Sequence, residues 1–304
     1  MWVVLAFVSA LCLGFYDISK KVALRDNGVT DVLTLSVLIS STILLIPLLL
    51  SRFLPDLMAE TPFYVPRLDF QAHLFTLIKS CIVLSSWIFA YISLKHLPIS
   101  VVNPWQATRP MWTLVGALLI FGERLNGWQW VGILLALGSI LVFSIKKPDQ
   151  RSRTTNNKYY ICLALAILIG SCSGLYDKYM MRHYDHNAVQ VYYTFYQAIL
   201  MLGVWLIYHR KQAKSAITSF SFSTKNILPI VLISVFLVIS DNVYMLALRD
   251  PDSLIAVVST IRRGGAVIGF AYGLIFLKEQ DPWKKVLSMI GILAGLICLT
   301  IGTL

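Results

Sequence analysis

Apolar residues come in runs of about twenty from one end of the chain to the other, separated by short polar interruptions. A helix needs about 20 such residues to cross the hydrocarbon core of a bilayer, and few other structures accommodate so long a run. That ruler predicts spans at roughly 2–23, 32–51, 72–94, 99–121 and 128–145, then at 159–182, 187–208, 226–248, 253–277 and 284–303. Between the two sets lies KKPDQRSRTTNNK, Lys146 to Lys158, polar and proline-containing, which reads as a linker. The chain is thereby divided into a first half at 1–146, a linker at 147–157 and a second half at 158–304.

The two halves repeat one another. Cys12-Leu-Gly14-Phe-Tyr16-Asp17 recurs as Cys172-Ser-Gly174-Leu-Tyr176-Asp177, late in the first span of each half. Tyr91 to Pro98 returns as Tyr244 to Pro251 where the third span meets the fourth. Glu123 and Glu279 close the fourth spans, and Trp128-x3-Gly132-Ile-Leu is echoed by Trp283 and Gly291-Ile-Leu. Five spans per half is an odd number, so the second copy enters the membrane from the opposite side. The expected fold is all-α and integral to the membrane, with ten transmembrane helices as two inverted five-helix repeats.

Composition agrees. Hydrophobic residues make up 57% of the chain and charged residues 13%, and the mean hydropathy is +0.72. A water-soluble domain cannot hide so much apolar surface. The first run has no basic segment before it, and Leu11 before Cys12 is too large for a lipoprotein-type cleavage site, so it is expected to remain as a span. The net charge of +11 is scattered through short loops, which suits lipid headgroups better than nucleic acid. Lys and Arg gather at the loops after spans one, three, five, seven and nine. The positive-inside rule then puts the linker in the cytoplasm and both termini outside. The five cysteines all lie in apolar runs with no CxxC pairing, and they are expected to be small buried residues without a disulfide or metal.

Setting aside those within four residues of a span end, seven ionisable residues fall within the spans: Asp17, Lys79, Arg109, Asp177, Asp241, Arg262 and Arg263. A charge in mid-bilayer costs roughly 2.5–3.5 kcal/mol on insertion scales, so each must face protein or water. Pairing of acids with bases would satisfy most of them. Four bases against three acids leave one positive charge over, and adjacent arginines point about 100° apart on a helix, beyond the reach of a single acid. The alternative is a cavity with a cationic wall that takes a carboxylate or phosphate through forked hydrogen bonds. Candidate substrate-binding residues are Arg109, Arg262 and Arg263. Asn103, Trp105 and Gln106 join them on the turns before Arg109, where Pro110 would kink the fourth span and expose the Gln106 carbonyl. Asp17, Asp177 and Asp241 are candidates for ion or proton coupling. The glycine ridges Gly265-x3-Gly269-x3-Gly273 and Gly291-x3-Gly295 are expected to pack helices, and Glu123 and Glu279 to cap or contact helix ends.

The segment PMWTLVGALLIFGE, Pro110 to Glu123, combines a proline, an apolar run of about twelve and a closing Gly-Glu. Together with the duplication and the span count it resembles the drug/metabolite transporter superfamily, in particular its EamA-type members. The second copy, AVIGFAYGLIFLKE, keeps the glutamate and replaces the proline by Ala266 and the glycine by Lys278. The resemblance covers essentially the whole chain and implies a ten-helix secondary transporter with a cavity between the halves. It also implies cytoplasmic termini, against the charge count. The expected function is transport, inward or outward, of a small anionic or zwitterionic organic solute by alternating access. A bacterial inner (plasma) membrane is the expected location, with membrane lipids around the protein, no cofactor and a homodimer left open. No GxxxxGK[ST] string points to ATP drive. The competing expectation is an intramembrane enzyme acting on a lipid-linked substrate; no DDxxD or HExxH string supports it, and its five histidines are scattered.

Overall fold

The computed structural model describes residues 1–97, 102, 105–106, 108–144, 157–212, 224–275 and 282–303. The segments are helical: α1 (Trp2–Asp26), α2 (Val29–Phe53), α3 (Pro55–Ala59), α4 (Phe70–His96), α5 (Arg109–Ile120), α6 (Gly127–Ser144), α7 (Asn157–His183), α8 (His186–Gln212), α9 (Thr224–Arg249), α10 (Ile255–Arg263), α11 (Ala266–Ile275) and α12 (Pro282–Ile301). Helices are what such runs must form in lipid, because a helix satisfies its own backbone groups where no water can. Six of them are long and apolar enough to cross a membrane: Trp2–Lys20, Thr30–Phe53, Phe70–Ala90, Asn157–His183, His186–Tyr208 and Ile227–Arg249. Arg109–Ile120, Gly127–Leu141 and Val286–Ile301 are shorter apolar helices.

Two expected spans are not single helices. Helix α5 begins only at Arg109, after a turn in which Thr108 N–H bonds the Trp105 carbonyl at 3.0 Å and Met111 N–H bonds Thr108 at 2.9 Å. Pro110 stands in the first turn of the helix that follows the interruption of the fourth run, with Trp105 and Gln106 helical before it and Thr108 a turn. In the first turn its missing N–H leaves nothing unpaired. The second break is at Gly264-Gly265, between α10 and α11. There, bonds of i to i−3 type tighten the chain, Gly264 N–H to Ile261 at 2.8 Å and Val267 N–H to Gly264 at 3.0 Å. Helix α1 presses on this break. A Cβ at Gly265 would come 2.3 Å from the Ala10 carbonyl, and one at Gly14 would come 2.7 Å from the Gly265 carbonyl.

The main packing pairs join helices before the linker to helices after it: α1 on α9, α6 on α12, α4 on α7 and α2 on α8. Small residues let the backbones close up, as expected where lipid offers no hydrophobic drive for association. A Cβ at Gly132 would lie 2.7 Å from the Gly295 carbonyl, and the reverse also holds. Of the other ridge, Gly265 makes the contact just described while Gly269 has open space, so that ridge is only in part a packing seam. Hydroxyls stitch the same seams: Ser9 and Ser240 exchange bonds at 2.9 and 3.0 Å, Ser234 reaches Ser36 at 2.8 Å and Ser86 reaches Ala166 at 2.8 Å. The five cysteines are free, and Cys81 and Cys172 are exposed on the apolar surface, contrary to a uniformly buried role.

The largest apolar cluster gathers the ends of α5, α7 and α9 and the starts of α1, α8 and α10, among them Trp2, Ala117, Met181, Val189, Leu248 and Ile255.

Candidate functional site

Broken helices deliver the arginines. Arg109 is the first residue of α5, and Arg262 and Arg263 are the last two of α10. All three border one cavity of about 180 Å³, whose wall also includes Ser173, Asp177 and Tyr244. The fourth and ninth hydrophobic runs thus meet at their discontinuities, with cationic ends turned to the same space.

Each arginine is held differently. Arg109 Nη2 donates to the Gly170 carbonyl at 2.6 Å, and its own carbonyl accepts from Ser171 at 2.9 Å. Arg262 Nη2 donates to Asp241 Oδ1 at 2.8 Å and to Ser240 Oγ at 3.3 Å. Its guanidinium lies 3.9 Å from the centre of the Tyr244 ring, a cation–π contact that fixes its plane. Arg262 Nε is buried and has no hydrogen-bond partner among the described residues. Arg263 borders the cavity within electrostatic reach of Asp17 on α1. An orphaned guanidinium donor beside a polar cavity is what an incoming oxyanion would satisfy.

The acids divide. Asp177 borders the cavity but is bound by Lys79 at 2.7 Å, with Lys79 only 2% exposed and set over the Tyr193 ring. Removing one member of such a pair strands the other charge. Asp241 holds Arg262 from α9 and faces a second, smaller cavity. Asp17 is on the exposed side of α1, outside the cavity wall. Among the other candidates, Trp105 is 42% exposed and lines an apolar surface groove with Met111 and Trp112, away from the arginines. Gln106 is half-buried and does not border the cavity, whereas Asn103 and Glu279 are outside the described residues.

Sequence reasoning missed two kinds of residue. Lys178, next to Asp177, is fully buried; its ammonium donates to the carbonyls of Leu248, Asp250 and Ser253 and to the Ser253 hydroxyl, closing the end of α9. A lysine so close to a helix end passes for an interfacial one. Gly170, Thr113 and Ser259 carry no charge, so nothing in hydropathy marks them as cavity residues. Glu123 does what was expected of it. Gly122 adopts a left-handed backbone at φ +62°, and Glu123 then accepts from Ile255 N–H at 2.6 Å and Ala256 N–H at 3.2 Å, capping α10.

Fold and site define a polytopic helical membrane protein with a cationic internal cavity. Residues 1–145 match the EamA-like transporter family, which lies within the drug/metabolite transporter superfamily. A solved structure described only as a crystal structure of a protein superposes with a TM-score of 0.74 at 13% identity, covering 99% of this chain and 96% of that one. At that identity the likeness shows the fold alone. None of the curated proteins matches the sequence.

Proposed function

We propose that this protein is a secondary transporter of a small organic anion or zwitterion, whose carboxylate or phosphate binds between Arg109, Arg262 and Arg263. The observation that carries this reading is Arg262, stacked on Tyr244 with Nε buried and unpartnered at the edge of the cavity. Size supports it. A cavity of about 180 Å³ is below the roughly 300–1,000 Å³ of drug-sized pockets, which favours a metabolite of few heavy atoms.

Transport by rocking of two inverted five-helix halves also has support in the packing. Equating each helix of the first half with its counterpart in the second turns the α1–α9 pair into the α7–α4 pair, and maps α2–α8 and α6–α12 onto themselves. A pseudo-twofold relation would produce that pattern. The family carries transporters, which weighs against the intramembrane enzyme.

Metabolite profiling of cells with and without the protein should reveal a carboxylated or phosphorylated solute that changes sides. In proteoliposomes, Arg262→Lys should cut flux of that solute by about tenfold or more, because an ammonium keeps the charge but loses the fork. A solute that is neutral or purely cationic, or undiminished flux in Arg262→Lys, would overturn the assignment.

A further inference from the structure

The second cavity, about 50 Å³, is enclosed by α2, α4, α8 and α9 and has Asp241 in its wall. Gln197 also borders it. This amide is 2% exposed, and neither its oxygen nor its nitrogen has a hydrogen-bond partner among the described residues. Leaving a buried amide unpaired costs about 1–3 kcal/mol per group, so something that can bond it belongs there. The hydroxyls of Ser40 and Thr194 line the same space. Both give their protons to their own helices, Ser40 to Ser36 at 2.8 Å and Thr194 to Gln190 at 2.8 Å, which leaves oxygen lone pairs for the cavity. Gln190 is occupied otherwise: it donates to Val238 at 2.7 Å and accepts from Asn242 at 2.8 Å, bracing α8 against α9.

The wall therefore offers a carboxylate, an amide oxygen and two hydroxyl oxygens, against the Gln197 amide hydrogens and the Tyr193 hydroxyl as donors. These are hard oxygen donors set in an otherwise apolar wall that includes Val37, Trp87, Leu237 and Val238, and the one carboxylate is shared with Arg262. A divalent ion would ask for more carboxylates and closer to octahedral or larger shells. The space has room for a small ion with a few waters and is too small for an organic solute of ordinary size. We infer that this cavity is a binding site for a small monovalent cation of sodium size, held by Asp241, Gln197, Ser40 and Thr194.

The site is tied to the central cavity by one ion pair. Arg262 borders the first space, Asp241 the second, and they are 2.8 Å apart. A cation at Asp241 weakens its hold on Arg262, and an anion at Arg262 releases Asp241. Each ligand removes the other's competitor, so the two bind more tightly together, and the coupling is reciprocal. This second step rests on the anion reading of the central cavity; cation binding does not.

The test uses the purified full-length protein in nanodiscs. Sodium-22 binding is measured directly, and the thermal midpoint is titrated with sodium, potassium or choline chloride at constant total chloride. Wild type should bind sodium saturably and gain stability over choline, with potassium weaker. Gln197→Leu, which has no internal hydrogen bond to lose and so should fold, should raise the half-saturating sodium concentration by about tenfold or more. Asp241→Asn should abolish binding, and Ser40→Ala should weaken it. No saturable sodium binding by wild type, or unchanged binding by folded Gln197→Leu, overturns the site, as does coupling of flux to pH alone. Sodium binding with no sodium dependence of anion flux retains the site and overturns the coupling, while Arg262-dependent flux without sodium binding leaves the transporter reading standing and sinks this one.

Discussion

Gly170 decides where Arg109 can stand. The guanidinium lies flat against the α7 backbone, and a Cβ at Gly170 would fall 2.5 Å from its Cζ. The obstructing atoms are the far end of a flexible side chain, so Gly170→Ala should cost the fold little, and the helix interior gains up to about 1 kcal/mol from losing a glycine. The guanidinium would be displaced and its 2.6 Å bond to the Gly170 carbonyl lost. Expected, then, is a thermal midpoint equal to or above wild type together with a several-fold fall in anion flux. Unaltered flux would mean that the position of Arg109 does not matter. The arginines themselves were legible in the sequence because an intramembrane charge is expensive and needs a reason. Gly170 and Gln197 were not, since a missing side chain and a neutral amide scarcely disturb hydropathy. The two copies of the repeated motif show the same limit: Gly14 is wedged against Gly265, whereas a Cβ at Gly174 would meet no other side chain nearer than 4.0 Å, and Gly174 borders the cavity. Identical letters do different work because their neighbours differ.

At the scale of elements, the decisive feature is that the fourth and ninth runs are interrupted where their arginines lie. Hydropathy counts residues without asking whether the backbone is continuous, so the sequence showed Pro110 and Gly264-Gly265 but not the breaks they make. Helix α10 has only nine residues, Ile255 to Arg263, and carries both Arg262 and Arg263 at its end. Its other end is capped by Glu123 from the first half, through two backbone N–H groups at 2.6 and 3.2 Å. A carboxylate there satisfies orphan donors and complements the helix dipole. Glu123→Ala should therefore destabilise the purified protein by about 1–2 kcal/mol, read as a lower thermal midpoint. Because the cap sets the position of a short helix, flux should fall further than stability alone accounts for. Glu123→Gln, which retains one acceptor oxygen, should recover part of both. An alanine variant with wild-type midpoint and flux would show that α10 needs no anchor from the first half.

Over the whole molecule, the strongest packing runs between the two similar stretches of sequence and not within either. Two similar halves suggest two domains, yet among the described residues the closest helix pairs, α1 on α9, α6 on α12, α4 on α7 and α2 on α8, all cross between halves. The Gly132–Gly295 contact, the Ser9–Ser240 exchange, the Lys79–Asp177 and Arg262–Arg109 surroundings and the Glu123 cap likewise depend on elements from both. Within the first half, α1 and α2 barely touch by comparison. A half alone would leave Lys79 without Asp177, a buried charge whose stranding costs about 3–5 kcal/mol, and would expose small-residue seams with nothing to fill them. Residues 1–146 expressed alone should consequently aggregate or be degraded when extracted in mild detergent, and so should 158–304. Expressed together from separate genes, the two pieces should copurify as a one-to-one complex, since the cut falls in a polar linker and severs none of these contacts. Size-exclusion chromatography of each piece and of the pair decides the matter. A monodisperse 1–146 that crosses the column alone would make the halves true domains and remove the reason for their interlocked seams; a pair that fails to assemble would assign the linker a structural role that its composition does not suggest.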